Sequence, residues 1–232
     1  MVAGSLREVL DAAARGVFPP ADGGTTVVPQ PGPRDAGVVA FTAHSVVFTD
    51  EDPRWVREAL AATECDALAA TMHAGFLAAF MARTGRTTDT VDVLLAGSPL
   101  RGAPPVDLEP VADGDHPRVR AARRRRDEVR VFAADGGLLV LGRGVAGRLE
   151  TAVEVDEGCR DRGLGRRLVT AARHLSGGEP VWAQVSAGNA RSLRAFQAAG
   201  YRPVGSEALL SVRGDPGVSA TARSTGCSGT RP

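Results

Sequence analysis

Glu154-Val155-Asp156-Glu157-Gly158-Cys159-Arg160-Asp161-Arg162-Gly163-Leu164-Gly165-Arg166-Arg167-Leu168 is the stretch on which the reading of this chain turns. Ahead of it, Thr151, Val153 and Val155 alternate with Glu150, Ala152 and Glu154, the period of two expected of a strand. Behind it, Leu164, Leu168, Val169, Ala172 and Leu175 recur at helical spacing. The turn between them carries glycine and three arginines. A helix start leaves backbone N–H groups without partners, and its dipole favours negative charge. Gly163 and Gly165 lack a Cβ, so a phosphate can approach those groups closely. Arg160, Arg162 and Arg166 add charge-assisted donors around it. The segment reads either as a pyrophosphate cradle or as a plain glycine turn. It has neither the full six-residue glycine fingerprint of dinucleotide-binding folds nor a P-loop Gly-Lys-Ser/Thr.

Working outward, 232 residues allow one large domain or two small ones. A hydrophobic content of 43% against 24% charged is ordinary for a chain that buries a real core. The formal net charge of +1 gives no general attraction to nucleic acid or anionic membrane. All 28 basic residues are arginine, which with the abundance of Ala and Gly points to a GC-rich, bacterial coding bias. Cys65, Cys159 and Cys227 are far apart and make neither a metal-ligand spacing nor a disulfide framework. No metal site is expected. With no signal-peptide pattern and no apolar run of transmembrane length, the expectation is a soluble, cytoplasmic protein.

Residues 2–17 predict a short amphipathic helix ended by Phe18-Pro19-Pro20, and 19–37 an irregular connector. Residues 37–48 read as two short strands or one bent one. His44 within them is expected to be half-buried with a backbone partner. Asp52-Pro53 opens a helix, 66–82 predict another, and 90–95 a strand. Residues 97–115, rich in Gly, Pro and Asp, are expected to link a 1–115 α/β region to a second unit at 116–213. That unit starts with a helix at His116-Pro117. The run Arg123 to Arg126 is followed at once by Asp127 and Glu128 and has no interleaved aromatics, so a solvated helix face is preferred to nucleic-acid binding. A hairpin about Asp135-Gly136-Gly137 follows, and then the opening segment. Next come a strand at 181–185, a helix opened by Asn189-Ala190-Arg191-Ser192, and strands at 201–205 and 208–212. Residues 214–232 predict a disordered tail.

Three features of the second unit occur in order: Arg160-x-x-Gly163-x-Gly165 directly after a strand, the strand Val181 to Val185, and Asn189-x-x-Ser192-x-x-x-Phe196-x-x-x-Gly200-Tyr201. Together they resemble the GNAT superfamily of acetyl-CoA-dependent N-acetyltransferases, over about residues 117–213. The resemblance implies a mixed, mostly antiparallel sheet flanked by helices, with acetyl-CoA as cosubstrate and a small-molecule or protein amine as acceptor. It implies that Val153 and Val155 pair with the pantetheine arm through their backbone. Arg160, Arg162, Gly163, Leu164, Gly165 and Arg166 then hold the pyrophosphate, and Asn189 and Ser192 contact the cofactor further along. The strands around Val155 and Val181 are expected to splay apart for the thioester.

Phe196 stands where the family often has a tyrosine that protonates the departing thiolate. General acid catalysis is worth about 10²–10⁴-fold. An alkyl ammonium of pKa about 10.4 must lose a proton before it can attack, so a base is needed. Glu150 is the first candidate and Glu154 the weaker one; equally, both are solvated or paired with arginines. The leading function is transfer of acetyl from acetyl-CoA to an amine by direct attack. The rival is an acetyl-CoA-binding sensor without turnover. Oligomeric state and acceptor identity are not encoded in any motif.

Overall fold

The computed structural model describes residues 4–112 and 116–212. The expected disordered tail, Cys227 included, lies outside the described residues.

Helix α1 (Leu6–Ala14) is set by a capping box at Ser5 and Glu8 and buries Leu6, Leu10, Ala13 and Ala14. The Ser5 Oγ accepts from the Glu8 N–H at 3.3 Å, and the Ser5 N–H donates to the Glu8 carboxylate at 2.7 Å. Ser5→Ala removes one of these bonds and is expected to cost about 1 kcal/mol in a urea melt; no measurable loss would mean that the cap does not hold the helix.

The supposed connector contains a strand, β1 (Gly24–Val28), where Thr-Thr-Val-Val supplies β-branched residues among the Pro and Gly that masked it. β2 (Asp35–Phe41) and β3 (His44–Phe48) form a tight hairpin with Ala43 at φ +55°, and β1 lies parallel to β3. Helix α2 (Pro53–Ala61) starts at Asp52 as expected. The helix expected at 66–82 is instead a short 3₁₀ turn (Ala70–Met72) and α3 (Ala74–Thr84), because His73 turns extended and caps α3 with its ring nitrogen. β4 (Arg86–Thr87), β5 (Val91–Gly97) and β6 (Glu109–Pro110) follow, the last inside the supposed linker. The remaining elements are α4 (Pro117–Arg125), β7 (Asp127–Ala134), β8 (Gly137–Arg143), β9 (Leu149–Val155), α5 (Leu164–His174), β10 (Val181–Ser186), α6 (Ala190–Ala198) and β11 (Arg202–Val212). β11 is one long strand with a bulge at Val204, where sequence suggested two.

The eleven strands of the described residues join one mixed sheet, ordered β1-β3-β2-β11-β5-β10-β9-β8-β7-β6, with β4 on β11. Among the described residues only β1–β3 and β9–β10 are parallel. β5, from the N-terminal half, lies between β10 and β11 and pairs antiparallel with both. The two halves therefore share a single sheet.

The registers assign side chains to two faces. Asp92, Leu94, Ala96, Trp182, Gln184, Glu150 and Ala152 share the first face; Val93, Leu95, Val181, Ala183 and Leu149 share the second. Helices α1 and α4 cover the first face, α1 over Leu94, Ala96 and Trp182, α4 over Val131 and Val140. Helices α5 and α6 cover the second face around Leu95, Leu139, Leu168 and Phe196, and α2 and α3 extend that layer through Val56, Phe76 and Phe80. Among the described residues no helix is long and apolar enough to cross a membrane.

Candidate functional site

The two parallel strands beside the opening segment stay together only briefly. β9 and β10 pair at Val181–Leu149 and Trp182–Glu150 and nowhere beyond. From Thr151 to Val155 the edge of β9 that faces β10 has no ladder partner among the described residues, although its other edge pairs with β8 as far as Val155. β10 meanwhile stays on β5 through Ser186. The sheet thus opens as a V between its two central parallel strands, the splay that the resemblance implied.

The wide end of the V meets the start of α5. Among the described residues, five of the six α-helices have a side chain accepting from their first turn: Ser5, Asp52, His73, His116 and Asn189. α5 has none. Its N-cap is Gly163 at φ +77°, and no side chain caps it. The first intrahelical bond runs from the Arg167 N–H to the Gly163 carbonyl, so the N–H groups of Leu164, Gly165 and Arg166 point out of the helix end without an intrahelical acceptor. A Cβ built on Gly165 meets only the Val155 side chain, at 3.6 Å, so the glycine leaves open space over those groups.

Arg160, Arg162 and Arg166 are exposed around this end. The Arg160 Nε donates to the Val155 carbonyl at 3.4 Å, and Arg167 holds the Arg162 carbonyl at 3.3 Å, which fixes the loop. Leu164 is buried in the core under α5, so only its backbone faces the loop. Val153 and Val155 pack against the same core with their unpaired edge toward β10. Asn189 caps α6, its Oδ1 accepting from the Ser192 N–H at 3.1 Å. Cys159 is half-buried against the core under α5.

The two glutamates share the first face, as the alternation required, and both are met by arginines from α4 or just beyond it. Glu150 is 3% exposed. Its carboxylate accepts from Arg126 at 2.8 Å, from Arg148 at 2.8 Å and from the Val145 N–H at 3.3 Å. Burial alone would push its pKa up, but Arg148 and Arg126 override that and bring it down to about 2. A carboxylate held that low and that deep is a poor proton acceptor, so its position suits a structural ion pair. Arg148 continues the network with a bidentate pair to Glu207 at 2.8 Å on both arms, and it lies 5.4 Å above the Trp182 ring. Glu154 is half-exposed and accepts from Arg118 at 2.8 Å. Against the solvated face expected for the arginine run, Arg123 reaches the Ala112 carbonyl, Arg125 sits against Ser211 and Asp89, and the half-buried Arg126 donates to Glu150.

Phe196 is buried edge-on against Tyr201, with ring centroids 4.9 Å apart. The Tyr201 hydroxyl donates to the Val169 carbonyl at 3.0 Å, and burial raises its pKa. Neither ring offers a proton to a thiolate in the V. His44 has side-chain partners instead of the expected backbone one: its Nδ1 lies 2.7 Å from Asp22 and its Nε2 3.0 Å from the Thr26 hydroxyl. The nearby N–H groups of Gly23 and Gly24 are taken by Ala43 and Asp22, so this trio ties β1 to β3 and leaves no donor for an oxyanion.

One carboxylate on the first face escaped the sequence reading. Asp92, on β5, stands opposite Ser186 of β10 on one side and Glu207 of β11 on the other. Burial and the neighbouring negative charge of Glu207 push its pKa up to about 7, against the pull of Arg125. Nothing in its own stretch marked it, because β5 joins the site through pairing with strands more than ninety residues away. Two surface hollows, about 580 and 490 Å³, open at the opposite end of β9 and β10 near Gly178, Glu179 and Arg202 or Arg130 and Ser176, away from the V. Among the described residues no group of three or more His, Cys, Asp or Glu could hold a metal.

No protein-family model matches the chain, and no curated protein matches it. Among solved structures it is similar to a GCN5-related N-acetyltransferase from Sphaerobacter thermophilus, at 16% identity over 62% of this chain and 58% of that one, with a TM-score of 0.37. It is similar to a GCN5-related N-acetyltransferase from Kribbella flavida, at 20% identity over 60% and 64% with a TM-score of 0.37. It is also similar to a GNAT-family structure from Novosphingobium aromaticivorans, at 20% identity over 55% and 67% with a TM-score of 0.38. The match thus spans only about three fifths of the first two structures, and superpositions this loose carry no argument of their own.

Proposed function

We propose that this protein transfers an acetyl group from acetyl-CoA to an amine acceptor by direct attack, in the manner of the GNAT superfamily that its motifs resemble. The observation that carries the reading is the uncapped start of α5 at the wide end of the split between β9 and β10. In this reading the N–H groups of Leu164, Gly165 and Arg166, with Arg160, Arg162 and Gly163, hold the pyrophosphate. The unpaired edge at Val153 and Val155 takes the place of a ladder partner for the pantetheine amides. Asn189, with its oxygen on the α6 cap, has its amide N–H₂ for the ligand, and Ser192 stands beside it. The thioester then reaches through the V to the first face, where an amine can approach. Soluble, cytoplasmic action on a small-molecule or protein amine belongs to this proposal.

Titration calorimetry with acetyl-CoA is the test. Gly165→Val leaves the fold room, since a Cβ there meets only a side-chain methyl, but it fills the approach to the N–H groups. We expect at least a tenfold loss of acetyl-CoA affinity, about 1.4 kcal/mol, with an unchanged melting temperature. Equal binding by both proteins would sink the assignment of the loop.

A second reading, an acetyl-CoA-binding module without turnover, is favoured by the burial of Phe196 and the commitment of the Tyr201 hydroxyl to Val169. Thiol release over a panel of amines separates the two, because the module binds acetyl-CoA and releases no thiol above the rate without protein.

A further inference from the structure

With Glu150 locked between two arginines, the proton acceptor of the proposed reaction has to be sought elsewhere around the V. The carboxylates of the first face are nearly all spoken for. Asp35 is held by Arg34 at 3.1 Å, Glu150 by Arg126 and Arg148, Glu154 by Arg118, and Glu207 by Arg148 and the Gln184 amide. Asp89 has Arg125 at 3.7 Å. Among the described residues the Asp92 carboxylate has neither a hydrogen bond nor an ion pair, although the residue is half-buried. The groups that bear on it electrically are Glu207 on β11, Asp89 just ahead of β5, and Arg125 at the end of α4.

Its place in the sheet is as telling as its lack of partners. β10 forms one wall of the V and carries Gln184 and Ser186 on the first face beyond the point where β9 leaves it. Asp92 is the residue directly across from Ser186, one strand in from that wall and at its wide end. A side chain that accepts a proton there is on the face opposite α5, so the amine enters from one side and the cofactor from the other.

We infer that Asp92 is the general base of the reaction, taking a proton from the acceptor's ammonium group directly or through one water; the inference rests on the transferase reading above. The Asp92 carboxylate takes one proton from R–NH₃⁺. The freed nitrogen lone pair forms the C–N bond at the thioester carbonyl, and the C–S bond breaks. Coenzyme A leaves as the thiolate and takes up the second proton from nitrogen, while Asp92 returns the first to solvent. A carboxyl poised to titrate at about 7 accepts a proton at neutral pH and yields it again without a large barrier in either direction. The thiolate needs no acid to depart, which fits the absence of one at Phe196.

The test compares two nucleophiles in the wild type and in Asp92→Asn, an isosteric change, with calorimetry of acetyl-CoA on both proteins. Ethylamine is an ammonium ion at pH 7 and needs the base; hydroxylamine is already largely neutral and does not. We expect Asp92→Asn to bind acetyl-CoA unchanged and to lose transfer to ethylamine by at least about 100-fold, while transfer to hydroxylamine falls by less than about threefold. The wild-type rate with ethylamine should also show a limb near pH 7 that the variant lacks. Equal losses with both nucleophiles, or no loss with ethylamine, would overturn the assignment. So would acetyl-CoA binding with no transfer to either by the wild type, since a binding module has no use for a base. Failure of the wild type to bind acetyl-CoA would overturn the transferase reading itself, a result distinct from the others.

Discussion

Arg148→Met is expected to lower the unfolding free energy by about 3–5 kcal/mol and the melting temperature by roughly 10 °C. The guanidinium is 2% exposed and sits between two carboxylates, Glu150 at 3% and Glu207 at 1%. It makes three hydrogen bonds of 2.8 Å to them. Methionine fills much of the volume and can keep contact with Trp182, so the cost is not chiefly a cavity. The cost comes from Glu207, left buried with only Gln184, and from Glu150, left with only Arg126 and a backbone N–H. Arg148→Lys should fall between, because one ammonium cannot serve a bidentate pair and a third oxygen together. Urea unfolding of the three proteins decides it. A loss below about 1 kcal/mol for the methionine variant would mean that water or a proton already relieves the carboxylates.

That network also shows where sequence reasoning stops. The strand of Glu150 and Glu154, the turn, and the amphipathic helix beyond were legible because each is a local pattern of a few residues. The two glutamates on one face followed from the period of two. Pairing with arginines was among the alternatives left open, and in the structure Arg118 of α4 and Arg126 just beyond it reach Glu154 and Glu150 on the same face. The identity of the base was not legible. Arg148 and Glu207 are far apart in sequence, and Asp92 belongs to a strand whose neighbours, β10 and β11, come from the other half of the chain. β1 was missed because proline and glycine around Thr25 to Val28 outweighed four β-branched residues, and its partner β3 lies across a hairpin. His44 was misread for the same reason, since Asp22 and Thr26 meet it only once β1 is in place.

Asp92 should make the protein less stable as the pH rises from about 4 toward 7, and Asp92→Asn should remove that dependence. The folded carboxyl titrates at about 7 and the unfolded one at 3.8. Between those values the folded state keeps a proton that the unfolded state has released, so unfolding becomes easier as the pH climbs, until the folded group ionises too. Moving a carboxyl that far corresponds to about 4 kcal/mol in a fully enclosed site, and to about 2 kcal/mol for a side chain that solvent partly reaches. Glu150 acts in the opposite sense and elsewhere on the scale. Its folded value of about 2 lies below the unfolded 4.5, so its stabilisation is complete above 4.5 and is lost only as the pH falls toward 2. The two windows meet only near pH 4, and urea melts at pH 5 and pH 8 isolate Asp92. The stability of Asp92→Asn relative to wild type should rise by about 1 kcal/mol between them, the part of the shift that lies above pH 5; a difference constant to within about 0.5 kcal/mol would show that Asp92 is ionised throughout. The same destabilised carboxylate is what a cationic acceptor would relieve. An ammonium group bound on the first face supplies the positive charge that Glu207 and Asp89 deny it, and in giving up its proton it restores the neutral form that the fold prefers.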